Sequence, residues 1–151
     1  MGIQIRDCRN ADLIRITEIE NASFDDPYPY RLFAAFLNDF PEGFRVAVEE
    51  NTVIGYCTLS RSNQRSVLLI SSIAIHPDFR KRGIGAILLE DAIRIARMFS
   101  APSPTKKIVL QVASNNSAAL VLYSKFGFVS VRELKNYYGR GRDATEMELA
   151  L

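Results

Sequence analysis

Hydrophobic and polar positions alternate along this chain with two periods, and the order in which those periods occur predicts its elements. Ile3 and Ile5 alternate with polar neighbours as a first strand, after which Leu13, Ile16 and Ile19 recur at helical spacing behind a cap at Asn10 or Asp12. A second helix is predicted after Pro29. Segments 44–49 and 52–61 read as a hairpin across Glu50-Asn51, and 66–75 as a largely buried central strand. From Ile84 onward Leu88, Ala92, Ile95 and Phe99 repeat at helical spacing, so a long helix begins near Gly83 and buries one stripe. Residues 100–105, rich in Ser and Pro, form a linker ahead of a buried strand at 108–112. A helix that starts at Asn116 or Ser117 ends at the natural cap Gly127, and 128–137 and 144–151 finish as two strands around Gly139-Arg140-Gly141-Arg142. Strands mixed with intervening helices make this an α/β or α+β chain.

Composition narrows the class. At 151 residues, 48% of them hydrophobic, the chain suits one domain over 1–151 with a sizeable core. A net charge of +2 is too mild to predict binding to nucleic acid or to an anionic membrane. No apolar run approaches the ~20 residues of a membrane span, and the first residues lack the basic-then-apolar pattern of a signal peptide, so a cytoplasmic location is expected. Cys8 and Cys57 lack metal-ligand spacing and read as reduced thiols, with Cys57 inside a strand; no metal site is expected.

The chemistry concentrates where the central strand meets the long helix, at Ile73-Ala74-Ile75-His76-Pro77-Asp78-Phe79-Arg80-Lys81-Arg82-Gly83-Ile84-Gly85. The first turn of a helix leaves backbone N–H donors unpaired and carries the positive end of the macrodipole, so an anion binds there without a special side chain. Gly83 and Gly85 let the backbone approach a ligand, and Arg80, Lys81 and Arg82 add charge suited to phosphate. The alternative for the three basic residues is a solvated charge run. A Walker A loop requires a Gly-Lys-Ser/Thr ending that is absent, and the dinucleotide fingerprint requires a third small residue where Leu88 stands.

Arg80-x-x-Gly83-x-Gly85, preceded by Ser72-Ile73-Ala74-Ile75-His76-Pro77, resembles the acetyl-CoA motif of the GNAT acetyltransferases. The run from Leu110-Gln111-Val112 through Asn115-Asn116-Ser117 to Tyr123, followed by Lys125-Phe126-Gly127-Phe128, looks like the strand, helix and turn that complete that site. Asn136-Tyr137-Tyr138, Asp143-Ala144-Thr145-Glu146-Met147 and Ser23-Phe24 with Pro27-Tyr28-Pro29 resemble the protein N-terminal acetyltransferase branch. That branch includes RimI-like ribosomal-protein alanine acetyltransferases and archaeal relatives of the NatA catalytic subunit. The resemblance covers essentially the whole chain. It implies a mixed, mostly antiparallel sheet flanked by helices and splayed at the cofactor site, with acetyl-CoA as donor.

Residue by residue, the resemblance places the pantetheine arm against the backbone of Ile73, Ala74 and Ile75, and the pyrophosphate at Arg80, Lys81, Arg82, Gly83, Ile84 and Gly85. Asn116 matches the coenzyme-binding asparagine and equally reads as a helix cap. Tyr123 matches the tyrosine that gives a proton or hydrogen bond to the coenzyme sulfur; on the helix it shares a face with Ala119 and Phe126, so its ring can pack inward while its hydroxyl reaches a cleft. Many relatives carry Glu or His where this chain has Gln111, and glutamine can orient a water but cannot take a proton. Asp26 and Glu20 are the other candidates for a base, and His76 reads as a loop residue. Tyr137 and Tyr138 resemble the tyrosine pair that covers an N-terminal peptide, with Phe24 and Tyr28 as the opposite wall; strand-end aromatics are the alternative.

These features predict an acetyl-CoA-dependent N-α-acetyltransferase for protein or peptide N-termini. An α-amine, with a pKa of roughly 7.7–8.0 against about 10.4 for lysine, is neutral hundreds of times more often at pH 7, so a strong base is not required. Competing readings are a lysine, polyamine or small-amine acetyltransferase of the same fold, and a non-catalytic CoA-binding regulatory module. Contact with an auxiliary subunit or the ribosome stays open.

Overall fold

A computed structural model describes residues 2–99 and 104–151; four of the six linker residues lie outside that range. Its seven strands, β1 (Gln4–Asp7), β2 (Phe44–Glu49), β3 (Thr52–Arg61), β4 (Val67–Ile75), β5 (Lys107–Ala113), β6 (Val129–Leu134) and β7 (Ala144–Ala150), form one sheet in the order β1-β2-β3-β4-β5-β7-β6. Every neighbouring pair is antiparallel except β4 with β5. Four α-helices flank it: α1 (Leu13–Ser23), α2 (Tyr30–Asp39), α3 (Ile84–Met98) and α4 (Ser117–Lys125).

The helices divide between the two faces because their apolar stripes do. Ile84, Leu88, Leu89, Ala92, Ile93 and Ala96 of α3 share a core with Tyr123 of α4 and with Ile108, Leu110 and Val112 of β5. On the other face Leu13, Ile16 and Ile19 of α1 and Phe33 of α2 pack on Val46, Tyr56 and Ala74. The β2–β3 hairpin turns at the expected dipeptide, with Glu50 and Asn51 both at positive φ, the geometry whose twist matches that of the strands.

The feature that makes the site is an irregularity in β4. Thr58 pairs with Ser72 but Leu59 pairs with Ile70, so Ser71 is an extra residue, a β-bulge. The bulge flips the facing of the strand. Leu68 and Ile70 point into the core under α3, whereas beyond it Ser72 and Ala74 turn toward α1 and α2, and Ile73 and Ile75 pack toward α3. The parallel ladder with β5 stops just before the bulge, after Val67, Leu68 and Leu69 have met Lys107, Ile108 and Val109. From there the two central strands separate.

Two boundaries differ from expectation. The penultimate strand ends at Leu134, and residues 135–138 form a turn in which Asn136 takes a φ of 55°, so Tyr137 and Tyr138 sit on a turn instead of a strand end. Asp12 does not cap α1 with its side chain; its carboxylate accepts from the Arg9 N–H at 2.8 Å and pairs with Arg6 at 2.7 Å. Both cysteines are free and buried, and burial pushes each thiol up to about 12.

Candidate active site

Beyond Leu69 the edge of β4 facing β5 has no strand against it among the described residues. The His76 N–H donates to Ile54 of β3, and backbone direction alternates along a strand, so Ala74 also faces β3 while Ile73 and Ile75 present N–H and C=O to the gap. One of these groups is taken. Arg80 Nε donates to the Ile75 carbonyl at 2.9 Å, and its Nη2 to Ser23 Oγ at 2.9 Å.

The three cations that the sequence sets side by side therefore take separate parts. Arg80 bonds to the Ile75 carbonyl and to Ser23 at the end of α1. Arg82 pairs with Glu49 at 2.6 Å, lies over the Phe79 ring at 5.6 Å, and holds the Glu49 carboxyl below its usual range. Lys81, at a φ of 65°, is the one cation of the three without a partner among the described residues. It stands next to Gly83, the N-cap of α3, whose φ of 78° favours glycine and around which a Cβ would meet nothing within 4 Å. Ile87 is the first residue to bond back into the helix, to the Gly83 carbonyl, so the amides ahead of it, including those of Ile84 and Gly85, have no helical acceptor. Open space, free amides and one free cation fit a phosphate there, and the unpaired edge of Ile73 fits the amide groups of a pantetheine arm.

Across the gap Asn116 caps α4, its Oδ1 accepting from the Ala119 N–H at 3.2 Å, which leaves the amide nitrogen as a donor for a ligand. Two turns on, the Tyr123 ring is buried against Phe128 at a centroid distance of 5.8 Å, and its hydroxyl bonds to none of the described residues. Burial pushes that phenol up, with Cys57 and Tyr138 adding to the shift, so it keeps its proton and can serve as a donor.

The three candidates for a base are placed very differently. Asp26 is exposed and forms an ion pair with Arg142 at 2.8 Å, which ties the α1–α2 connection to the β6–β7 turn. Glu20 is buried, and three donors converge on it: Ser72 Oγ at 2.7 Å and the Tyr56 hydroxyl on Oε1, and the Tyr28 N–H at 2.9 Å on Oε2. It anchors the α1–α2 connection to β3 and β4. Gln111 lies on the face of β5 opposite Leu110 and Val112, just beyond the point where the strands part, and donates from Nε2 to Glu146 at 3.0 Å.

Each of the two connections tied by Asp26 and Arg142 carries aromatic residues. Tyr137 and Tyr138 pack edge to face at 5.0 Å, and burial together with Tyr137 and Tyr28 pushes the Tyr138 phenol up to about 12. Tyr28 leans on Phe33 and Phe36, while Phe24 and Tyr137 remain exposed. Tyr56, Ser72, Ser23, Arg142 and Glu146 were not singled out by sequence reading. Ser72 had a signal, because the phase of apolar residues changes across Ser71-Ser72, and Ser23 and Glu146 lie within the family-like segments without a role assigned to them; Tyr56 and Arg142 had none beyond being aromatic or charged.

Comparison with known proteins agrees with this geometry. Residues 12–128 match the model of the Acetyltransferase (GNAT) family. An N-alpha-acetyltransferase of Sulfurisphaera tokodaii is 31% identical, over 98% of this chain and 93% of that protein. Among solved structures, Ard1 from Thermoplasma volcanium superposes with a TM-score of 0.91 at 25% identity, covering 100% of this chain and 99% of the other. A chain of the NatC complex bound to Gag peptide and CoA gives 0.89 at 26% identity, with coverages of 100% and 99%. A splayed β4–β5 pair, a glycine-capped helix beside it and a family match across most of the chain lead to one assignment: this protein is a member of the GNAT acetyltransferase family.

Proposed function

We propose that the protein transfers acetyl from acetyl-CoA to the free α-amine of protein or peptide N-termini. The observation that carries this reading is the gap between β4 and β5. It adjoins the open N-terminus of α3, and the Asp26–Arg142 pair holds together the two connections that carry Tyr28, Tyr137 and Tyr138 and are expected to wall a peptide groove. A relative named as an N-alpha-acetyltransferase and a structural neighbour bound to peptide and CoA support it. Two free cysteines support a reducing, cytoplasmic setting.

In this reading the backbone of Ile73 and Ile75 and the donors of Asn116 hold the pantetheine arm, and Lys81 with the amides of Gly83, Ile84 and Gly85 holds the phosphates. Acetyl-CoA supplies an activated thioester. The neutral amine would attack its carbonyl carbon as the C–S bond breaks; the Tyr123 hydroxyl would hydrogen-bond and protonate the departing sulfur and regain a proton from solvent, to which the surplus proton on nitrogen is lost. Gln111 accepts from the amine or from a water beside it and so aligns the attack.

The test is acetyl transfer to a peptide panel that varies the first two residues, each peptide paired with an N-terminally blocked copy carrying an internal lysine. Transfer confined to free N-termini is expected. Transfer to blocked copies would replace this reading with lysine acetylation, and coenzyme binding without turnover on any amine would point to a regulatory module.

A further inference from the structure

Gln111, Glu146 and Arg132 form one row across three strands. Glu146 of β7 is the register partner of Gln111 on one side and of Arg132 of β6 on the other. Its Oε1 accepts from Gln111 Nε2 at 3.0 Å and its Oε2 pairs with Arg132 Nε at 2.9 Å, while its own side chain is only 15% exposed. The row ends at Gln111, where β5 parts from β4. A carboxylate can only accept, so it fixes which end of the Gln111 amide faces it: the NH2 group turns to Glu146 and the oxygen is left for whatever occupies the gap. Without that partner the amide could turn over and present donors to the same place.

We propose that Glu146 is a positioning residue for the transfer reaction, holding the Gln111 oxygen as an acceptor toward the attacking amine. This rests on the function proposed above. An ammonium substrate meets an amide oxygen, and the charge behind it is already neutralised by Arg132, so the row orients the nitrogen without strongly favouring its protonated form. The chain thereby uses a locked neutral acceptor at a position where it carries no titratable group of its own.

The test is a double-mutant cycle with Glu146→Ala and Gln111→Leu, together with the conservative variant Glu146→Gln, measured on whichever amine the peptide panel identifies. Each of the first two should lower kcat by about 10-fold, the scale of one lost orienting hydrogen bond, and leave the KM for acetyl-CoA unchanged. The double variant should be no slower than either single one, because both remove the same interaction. Glu146→Gln offers one acceptor oxygen to two donors, Gln111 and Arg132, and can itself donate, so it should fall between Glu146→Ala and wild type. Wild-type kcat in Glu146→Ala, multiplicative effects in the double variant, or no rescue by glutamine would each overturn the proposal. A purely structural role in joining β6 to β7 would lower Tm with kcat intact. Wild-type activity on lysine in place of α-amines would overturn the substrate reading and leave the cycle measurable; silence on every amine would overturn both.

Discussion

Truncating Glu20 to alanine removes the acceptor for three donors at once, and the structure allows the consequence to be worked out. Tyr56 and Ser72 hydroxyls lie 3.1 Å apart, so after truncation they can pair with each other and leave one buried hydroxyl donor unsatisfied. The Tyr28 N–H, held at 2.9 Å, is the second orphan. An unpaired buried hydroxyl costs about 1–3 kcal/mol, the N–H of the partly exposed Tyr28 costs less because water can reach it, and relief from burying a carboxylate offsets part of the sum, so a net loss of roughly 1–3 kcal/mol is expected. For a chain of this size that is a fall in Tm of roughly 2–12 °C. Urea unfolding followed by circular dichroism should show a lower midpoint with an unchanged m-value. Glu20→Gln separates the two jobs of this side chain: its oxygen still serves Tyr56 and Ser72, but its NH2 would confront the Tyr28 N–H, so it should keep most of the stability while raising the KM for peptide. A loss below about 1 kcal/mol in Glu20→Ala, combined with wild-type peptide KM in Glu20→Gln, would refute the anchoring role.

Three further outcomes are expected. Tyr123→Phe should lower kcat at least 10-fold, an order-of-magnitude figure for losing a proton donor to the leaving thiolate, with little change in the Kd for CoA by calorimetry; unchanged kcat would remove the acid role. Gly83→Val should weaken CoA binding by about 10-fold or more, since its side chain fills the open space at the helix start, and cost about 1–2 kcal/mol of stability through its φ of 78°; unaltered affinity would place the phosphates elsewhere. Stability should also decline in alkali. Cys8 and Cys57, ordinarily near 9.0, and Tyr138, ordinarily near 10.0, are each raised to about 12 in the folded chain. Between those values the unfolded chain binds fewer protons than the folded one, so the unfolding free energy is full below about pH 9 and falls as pH rises toward 12. Denaturant midpoints independent of pH over that window would contradict it.

Much of the site could be read from order along the chain. The glycine cap before α3, the Asn cap of α4 and the turn at Glu50-Asn51 depend on a few adjacent residues, and all three appear where their local chemistry put them. The strand before the cradle was read as a single buried run, yet its apolar phase slips at Ser71-Ser72, and that slip is the bulge that separates β4 from β5. The information was present as a change of phase, which a reading for continuous burial passes over.

What the sequence by itself determined is the succession of elements, the family and the glycine cap of α3, because periodicity and capping act between neighbours within a turn or a pleat. Only the tertiary structure decided which partners these polar side chains meet. Arg80 bonds to Ser23, 57 positions away, Glu20 to Tyr56, 36 away, and Asp26 to Arg142, 116 away, while Gln111 gains its carboxylate partner 35 positions later in the chain. A charged side chain goes to a complementary donor, acceptor or charge near it in space, and that distance is set by how strands and helices pack together, a quantity that no local pattern contains.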